Sequence, residues 1–354
     1  MSRKNIIRFF FFAFLLLHTI PLVDRFTYET ITKINYSLIL PALTLFSIRK
    51  LNSPSALIQL SIIVISVIFL LAGKAGTIFA LVLSASSPYF IFQNFKTKDD
   101  LIEFFSSSLI IVSVFLIITS IVLFYLVSSM LIEFELFGEY FIIASINYVP
   151  LLFWSFSILL LIRSSVVKYN FTENLFTGII ILIGVFFSLI FLTRSTLIAL
   201  FALLFIHYRN YWKFILFTFI IVIYFHLTEI REFFVEYMGS ENISEMGEDE
   251  RRFDSILIFI NDAIHFGYDF RKYMSFSSLI NLLFSIFPLT LFYLIPMFSQ
   301  VFKFFYNTNF INFCSFLLCV FIISYQMDFL SVFVLFFLLE FFNFNKNNLL
   351  IEVS

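Results

Sequence analysis

Few side chains in this sequence are equipped for chemistry, and most of those fall in two places. The first is Phe191-Leu192-Thr193-Arg194-Ser195-Thr196-Leu197, where an arginine sits at the junction of two hydrophobic runs with no room for an ordinary loop. A guanidinium at that depth is costly and calls for an acidic partner or an anionic ligand. It suits a bidentate grip on phosphate oxygens better than an ammonium does. The bland alternative is a helix-end arginine snorkelling to the headgroups. The second place is Glu250-Arg251-Arg252-Phe253-Asp254-Ser255, running on to His265-Phe266-Gly267-Tyr268. At helical periodicity Phe253, Ile256, Leu257, Ile260 and Ile264 share one face, and Arg251, Asp254, Ser255, Asp262 and His265 gather on the other. Ile258 and Phe259 spoil the pattern in part. Such a helix would lie along a membrane surface, apolar side down, or would simply be a surface helix with solvated charges. His265 gains interest only beside the arginines. The acidic run from Glu245 to Glu250 reads as a solvated turn or helix start.

Other chemistries lack their residues. The sequence has no phosphate-binding P-loop, no GxGxxG, no HExxH and no GxSxG. Nucleotide-driven reactions are thereby disfavoured, and any reaction must use substrates that arrive activated. Cys314 and Cys319 share one apolar run at a spacing that fits neither zinc nor a redox pair, and they read as packing or lipid-facing residues. No metal or cofactor is expected. His18, His207 and His226 lie in or at the ends of hydrophobic runs without an evident partner. No basic tract suggests nucleic acid.

The elements that must position these residues are written in the composition. Of 354 residues 61% are hydrophobic and only 13% charged, with a mean hydropathy of +1.02. A water-soluble exterior cannot be built from that supply, so the solvent for most of the chain is predicted to be lipid. The 57 phenylalanines are assigned to lipid contact and helix packing. Runs of roughly 20 apolar residues predict an all-α polytopic membrane protein with about twelve spans. They lie near 6–23, 34–48, 56–72, 76–95, 101–127, 142–162, 174–192, 194–208, 212–228, 278–302, 309–324 and 327–342. The first span follows Arg3, Lys4 and Arg8, but no small-residue cleavage site follows Pro21, so it is expected to be retained.

Basic residues set the orientation. With the N-terminus inside, the inner side receives thirteen of the 22 Lys and Arg, and the outer side nine, five of them in one long loop. The outer segment 128–141 holds Glu133, Glu135 and Glu139 and no Lys or Arg. Both termini are therefore expected in the cytoplasm. Three regions result: spans one to nine over 1–228, a large outer loop over 229–277 containing the amphipathic helix, and the last three spans with a tail over 278–354. The loop carries eleven acidic and five basic side chains, a formal −6, against +5 for the rest of the chain. A long loop in an otherwise economical membrane protein is usually functional. The two halves show no internal repeat of the kind many transporters have.

Taken together, these pieces resemble the bacterial O-antigen and capsule repeat-unit polymerases (Wzy type), which share their layout with the O-antigen ligases. The likeness rests on about twelve spans with both ends inside and on Thr193-Arg194-Ser195 opening a helix at the outer face. It rests also on a long outer loop in the second half, and on Arg251 or Arg252 followed by Phe266-Gly267-Tyr268. In this chain the arginine precedes the serine, and Asp269 stands where the family's second glycine would be. The ligase-like histidine after the large loop is missing from Ser275-Phe276-Ser277-Ser278-Leu279, which favours a polymerase and leaves the general base unassigned.

The resemblance implies a glycosyltransferase on the outer face of the cytoplasmic membrane that joins undecaprenyl-diphosphate-linked oligosaccharide repeat units. A growing glycan on the lipid would pass to the nonreducing sugar of one further lipid-linked unit. Arg194 with Arg251 or Arg252 would clamp the departing diphosphate. Asp254, Asp262 or His265 would take the proton of the attacking hydroxyl, and Tyr268 would stack on sugar. A chain-length regulator and a flippase are the protein partners implied, beside the lipid bilayer itself. The rival readings are a lipid-linked oligosaccharide flippase, an O-antigen ligase and a scaffold without chemistry. A flippase should carry charge inside several spans, whereas here Glu103 and Glu340 lie at span edges.

Overall fold

The structure is a computed structural model that describes residues 2–20, 31, 33–71, 76–105, 108–128, 139–166, 171–190, 193–208, 316–322 and 329–352. Among the described residues the regular structure is all helical, with no strand. Helix α1 spans Arg3–Thr19, a π-helical turn Asn35–Ile39 leads into α2 at Leu40–Ser47, and α3 and α4 span Pro54–Leu71 and Gly76–Phe92. Then come α5 (Lys98–Phe105), α6 (Ser108–Ser128), α7 (Glu139–Val166), α8 (Phe171–Ile190) and α9 (Arg194–His207), with α10 at Phe329–Glu352 closing the chain. Residues 316–322 are helical as well.

These elements follow the hydrophobic runs closely, with two differences. The span expected at 101–127 starts three residues earlier, at Lys98, and residues 106–107 between α5 and α6 lie outside the described residues. The reason for the early start lies in Thr97, whose hydroxyl accepts from the Asp100 backbone N–H at 3.3 Å, while Asp100 Oδ2 accepts from the Thr97 N–H at 3.3 Å. This reciprocal cap starts the helix at Lys98. At the other end of the chain, α10 continues ten residues past the expected boundary at 342 to Glu352. Its sequence contains neither Gly nor Pro to stop it. Glu340 is consequently an interior helical residue, and it is buried, where the sequence had suggested a span edge. The expected spans 212–228 and 278–302 lie outside the described residues.

Ring packing fixes how the helices run. Phe14 meets Phe333 at 5.2 Å and Phe11 meets Phe337 at 5.8 Å, so α1 and α10 are antiparallel. Phe92 at the end of α4 meets Phe337, and Phe95 just past it reaches Phe344. Phe11 is fully buried among Phe104, Phe105, Phe333 and Phe337. Helix packing is therefore what many of the phenylalanines do, since offset and edge-on rings fill such contacts well. The buried hydroxyls of Thr44, Ser47, Ser87, Ser113 and Ser157 donate to the carbonyl four residues back, between 2.5 and 2.8 Å. Bonding back in this way satisfies them where no water is at hand.

The outward faces are apolar. On α6 the exposed side chains include Ile111, Phe115, Ile118, Ile121 and Tyr125, and on α8 Leu175, Ile179, Leu182 and Phe186. Each set recurs every three or four residues, the spacing of one helix face. Two stretches, Lys98–Val122 and Val149–Val166, are long and apolar enough to cross a membrane, and shorter apolar helices accompany them.

The two ends of the bundle differ. At one end, α1 begins with Ser2 capping the Asn5 N–H, and Lys4 pairs with Asp100. Arg3 donates to the carbonyls of Phe46 and Ile48. At the other end α1 finishes, α10 starts, and Tyr36 packs on Phe329 at 4.6 Å.

Candidate functional site

The site that the structure builds around a predicted residue is the turn from α8 to α9. Arg194 is the first residue of α9. The residue before it, Thr193, is buried, and its carbonyl accepts the Leu197 N–H at 2.9 Å to start the helix. Its N–H reaches back to the Ser188 carbonyl at 3.0 Å, and its hydroxyl points to the same carbonyl at 3.5 Å. Thr193 thus ties the end of α8 to the start of α9, and its hydroxyl is turned away from the usual N-cap bond. Two further hydroxyls crowd this turn. Ser188 Oγ and Thr196 Oγ1 are fully buried and have no hydrogen-bond partner among the described residues. Leaving such a donor unsatisfied costs about 1–3 kcal/mol.

Gly184 holds the turn in place. A Cβ there would come within 2.7 Å of Phe153 Cβ and 3.0 Å of Leu200 Cδ1. Only a glycine lets α8 lie this close to both α7 and α9. The neighbouring rings of Phe153 and Phe187 stack at 5.5 Å. Ser155, next along α7, shares a 3.3 Å hydrogen bond with Ser331 near the start of α10. Those contacts place the α8–α9 turn toward the end of the bundle where α10 begins and α1 finishes, away from Lys4 and Arg49.

At that same end His18, which had no evident partner in the sequence, meets Tyr36. His18 Nε2 and the Tyr36 hydroxyl are 3.0 Å apart, and both side chains are buried. Asn35 beside them donates to the Phe14 carbonyl at 3.3 Å, while its Oδ1 has no partner among the described residues. The π-helical turn over Asn35–Ile39 carries both Asn35 and Tyr36. Such turns are frequent at functional sites. A signal for the pairing existed: His18 ends one hydrophobic run and Tyr36 begins the next, so an antiparallel hairpin brings them level.

Arg251, Arg252, Asp254, Asp262, His265 and Tyr268 all lie outside the described residues, as does the whole loop 229–277. Cys319 is buried in packing, and Cys314 lies outside the described residues. Among the described residues no three His, Cys, Asp or Glu side chains stand together as a metal site would require.

The described part of the protein is an all-α bundle with apolar outer faces and stretches long enough to cross a membrane. No protein-family model, curated protein or solved structure matches the chain.

Proposed function

We propose that the chain is a multi-pass cytoplasmic-membrane glycosyltransferase that polymerises oligosaccharide repeat units carried on undecaprenyl diphosphate, for O-antigen or capsule. The membrane part of this reading is supported by the lipid-like outer faces of α6 and α8, because contiguous exposed apolar surface of that extent marks a membrane or partner contact. In this reading the helices belong to about twelve spans, both termini are cytoplasmic, and the acidic segment 229–277 faces outward.

The observation that carries the chemistry is the α8–α9 turn. Arg194 opens α9, and Ser188 near the end of α8 and Thr196 in the first turn of α9 carry buried hydroxyls with no hydrogen-bond partner among the described residues. First-turn N–H groups lack partners within a helix, and the helix dipole places partial positive charge at the same end. Guanidinium, helix terminus and hydroxyls are the groups that a departing diphosphate needs. In the proposed reaction a hydroxyl of the acceptor unit's nonreducing sugar attacks the anomeric carbon of the donor glycan. The bond from that carbon to the diphosphate oxygen breaks, and undecaprenyl diphosphate leaves with the electron pair. The hydroxyl proton goes to Asp254, Asp262 or His265. Arg251 or Arg252 completes the clamp from the outer loop, and Tyr268 lies against sugar.

Deleting the gene and resolving the surface polysaccharide on a gel tests this. The deletion is expected to leave single repeat units, and the wild-type gene to restore the ladder. Arg194→Ala should fail to do so at normal abundance, since losing one such transition-state contact lowers rate about 10²–10³-fold. Accumulation of all repeat units on the inner side would instead identify a flippase. A normal ladder with Arg194→Ala would remove the proposed clamp.

A further inference from the structure

We propose that the basic end of the bundle is a binding platform for the headgroups of anionic phospholipids, a property separate from the polymerase reading and dependent only on the chain spanning a membrane. Arg3, Lys4, Arg49, Lys50 and Lys96 are all exposed there. The acidic groups facing them are Asp99, Asp100 and Glu103, of which Asp100 is engaged by Lys4 and by the Lys96 N–H at 2.8 Å. Basic charge is in excess, and it is held in place.

Two side chains from the end of α4 do the holding. Gln93 Oε1 accepts from the backbone N–H groups of both Arg49 and Lys50 at 3.3 Å. Asn94 Nδ2 donates to the Ser47 carbonyl at 2.7 Å and to the Phe90 carbonyl at 3.0 Å. Ser53, which caps α3 through the Ala56 N–H at 3.1 Å, bonds to the Tyr89 hydroxyl at 3.0 Å. The connection from α2 to α3 is thereby fastened to the end of α4, and Arg49 and Lys50 are brought beside Lys96. A preorganised cationic cluster loses less freedom on binding than a flexible tail does.

What lies next to the cluster selects the ligand. Leu45, Phe46, Leu51 and Leu57, on the same helices and loop, are exposed. A ligand seated there meets cations at one level and bare hydrocarbon at the next. A phospholipid has that order of phosphate and acyl chain, whereas a free phosphate would use only the cations and an acidic protein segment would leave the apolar rim uncovered. Clusters of four to eight Lys and Arg at the cytoplasmic boundary of a membrane helix attract anionic lipid in this way.

The test is native mass spectrometry of the full-length purified protein with phosphatidylglycerol or phosphatidylcholine of identical acyl chains. Wild type is expected to retain phosphatidylglycerol preferentially, with the preference falling as salt rises. Each neutralised charge should weaken binding about fivefold (about 1 kcal/mol per side chain), so R49Q/K50Q/K96Q should lose the preference while K96R keeps it. Millimolar inorganic phosphate should not displace the lipid. Equal retention of both lipids by wild type, an undiminished preference in the triple variant, or displacement by phosphate would overturn the proposal. If the triple variant fails to fold, the wild-type lipid comparison and its salt dependence decide alone. Because the readout is lipid retention, its failure leaves the polymerase reading standing, and lost polymerisation leaves this one standing.

Discussion

Replacing Gly184 with alanine should loosen the three-helix contact that sets the α8–α9 turn, and replacing Gly178 should not. Both glycines lie in α8, and in a helix interior alanine is ordinarily favoured by about 1 kcal/mol. At Gly184 the added methyl would stand 2.7 Å from Phe153 Cβ, an atom fixed to the α7 backbone, and 3.0 Å from Leu200. One of the helices has to move, and overpacking of this sort costs about 1–3 kcal/mol. The net expectation is a loss of up to about 2 kcal/mol. At Gly178 the nearest atom is the Tyr208 hydroxyl, at 2.9 Å, the far end of a side chain that can swing aside. Swinging breaks the bond from that hydroxyl to the Asn174 carbonyl, worth about 1 kcal/mol. The propensity gain roughly cancels that loss. Unfolding in detergent micelles, followed by tryptophan fluorescence, reads the difference, because Trp154 adjoins Phe153 and is only 1% exposed. A Gly184→Ala protein as stable as wild type, or less affected than Gly178→Ala, would refute the close-packing argument. The same variant should also weaken complementation of a deletion strain, since Ser188 and Thr193 follow Gly184 within three turns.

Further expectations concern the other contacts and the orientation. Tyr36→Phe should destabilise by about 1 kcal/mol in the same unfolding assay by removing the buried hydrogen bond to His18. With a membrane-impermeant maleimide, Glu245→Cys is expected to label in intact cells and Asn52→Cys only after permeabilisation; the opposite pattern would reverse the assigned sidedness.

Much of the helical layout could be read from hydrophobic run length. The expected spans 34–48, 56–72 and 194–208 coincide with described helices to within two residues at each end. The start of α5 at Lys98 was harder to see because the apolar run begins only at Leu101. Its signal was local, in the Thr97-to-Asp100 spacing, and run-length counting is blind to caps. The length of α10 was missed for a related reason: polar Asn343, Asn345 and Lys346 end a hydrophobic run without ending a helix. At the turn, the sequence singled out Arg194 but not its neighbours. Ser188 and Thr196 are ordinary helix residues by type, and their burial depends on how α8 meets α7 and α9 across Gly184. Long-range pairs such as Ser155 with Ser331 depend on tertiary placement in the same way.

The most direct test of the central claim is reconstitution. The purified protein in proteoliposomes, supplied with undecaprenyl-diphosphate-linked repeat units from its own host, should yield lipid-linked dimers and longer oligomers by mass spectrometry. One free undecaprenyl diphosphate should be released for each new glycosidic bond, and Arg194→Ala should make neither product. Repeat units that remain monomeric in the wild-type protein's presence, or that only change leaflet, would contradict the account.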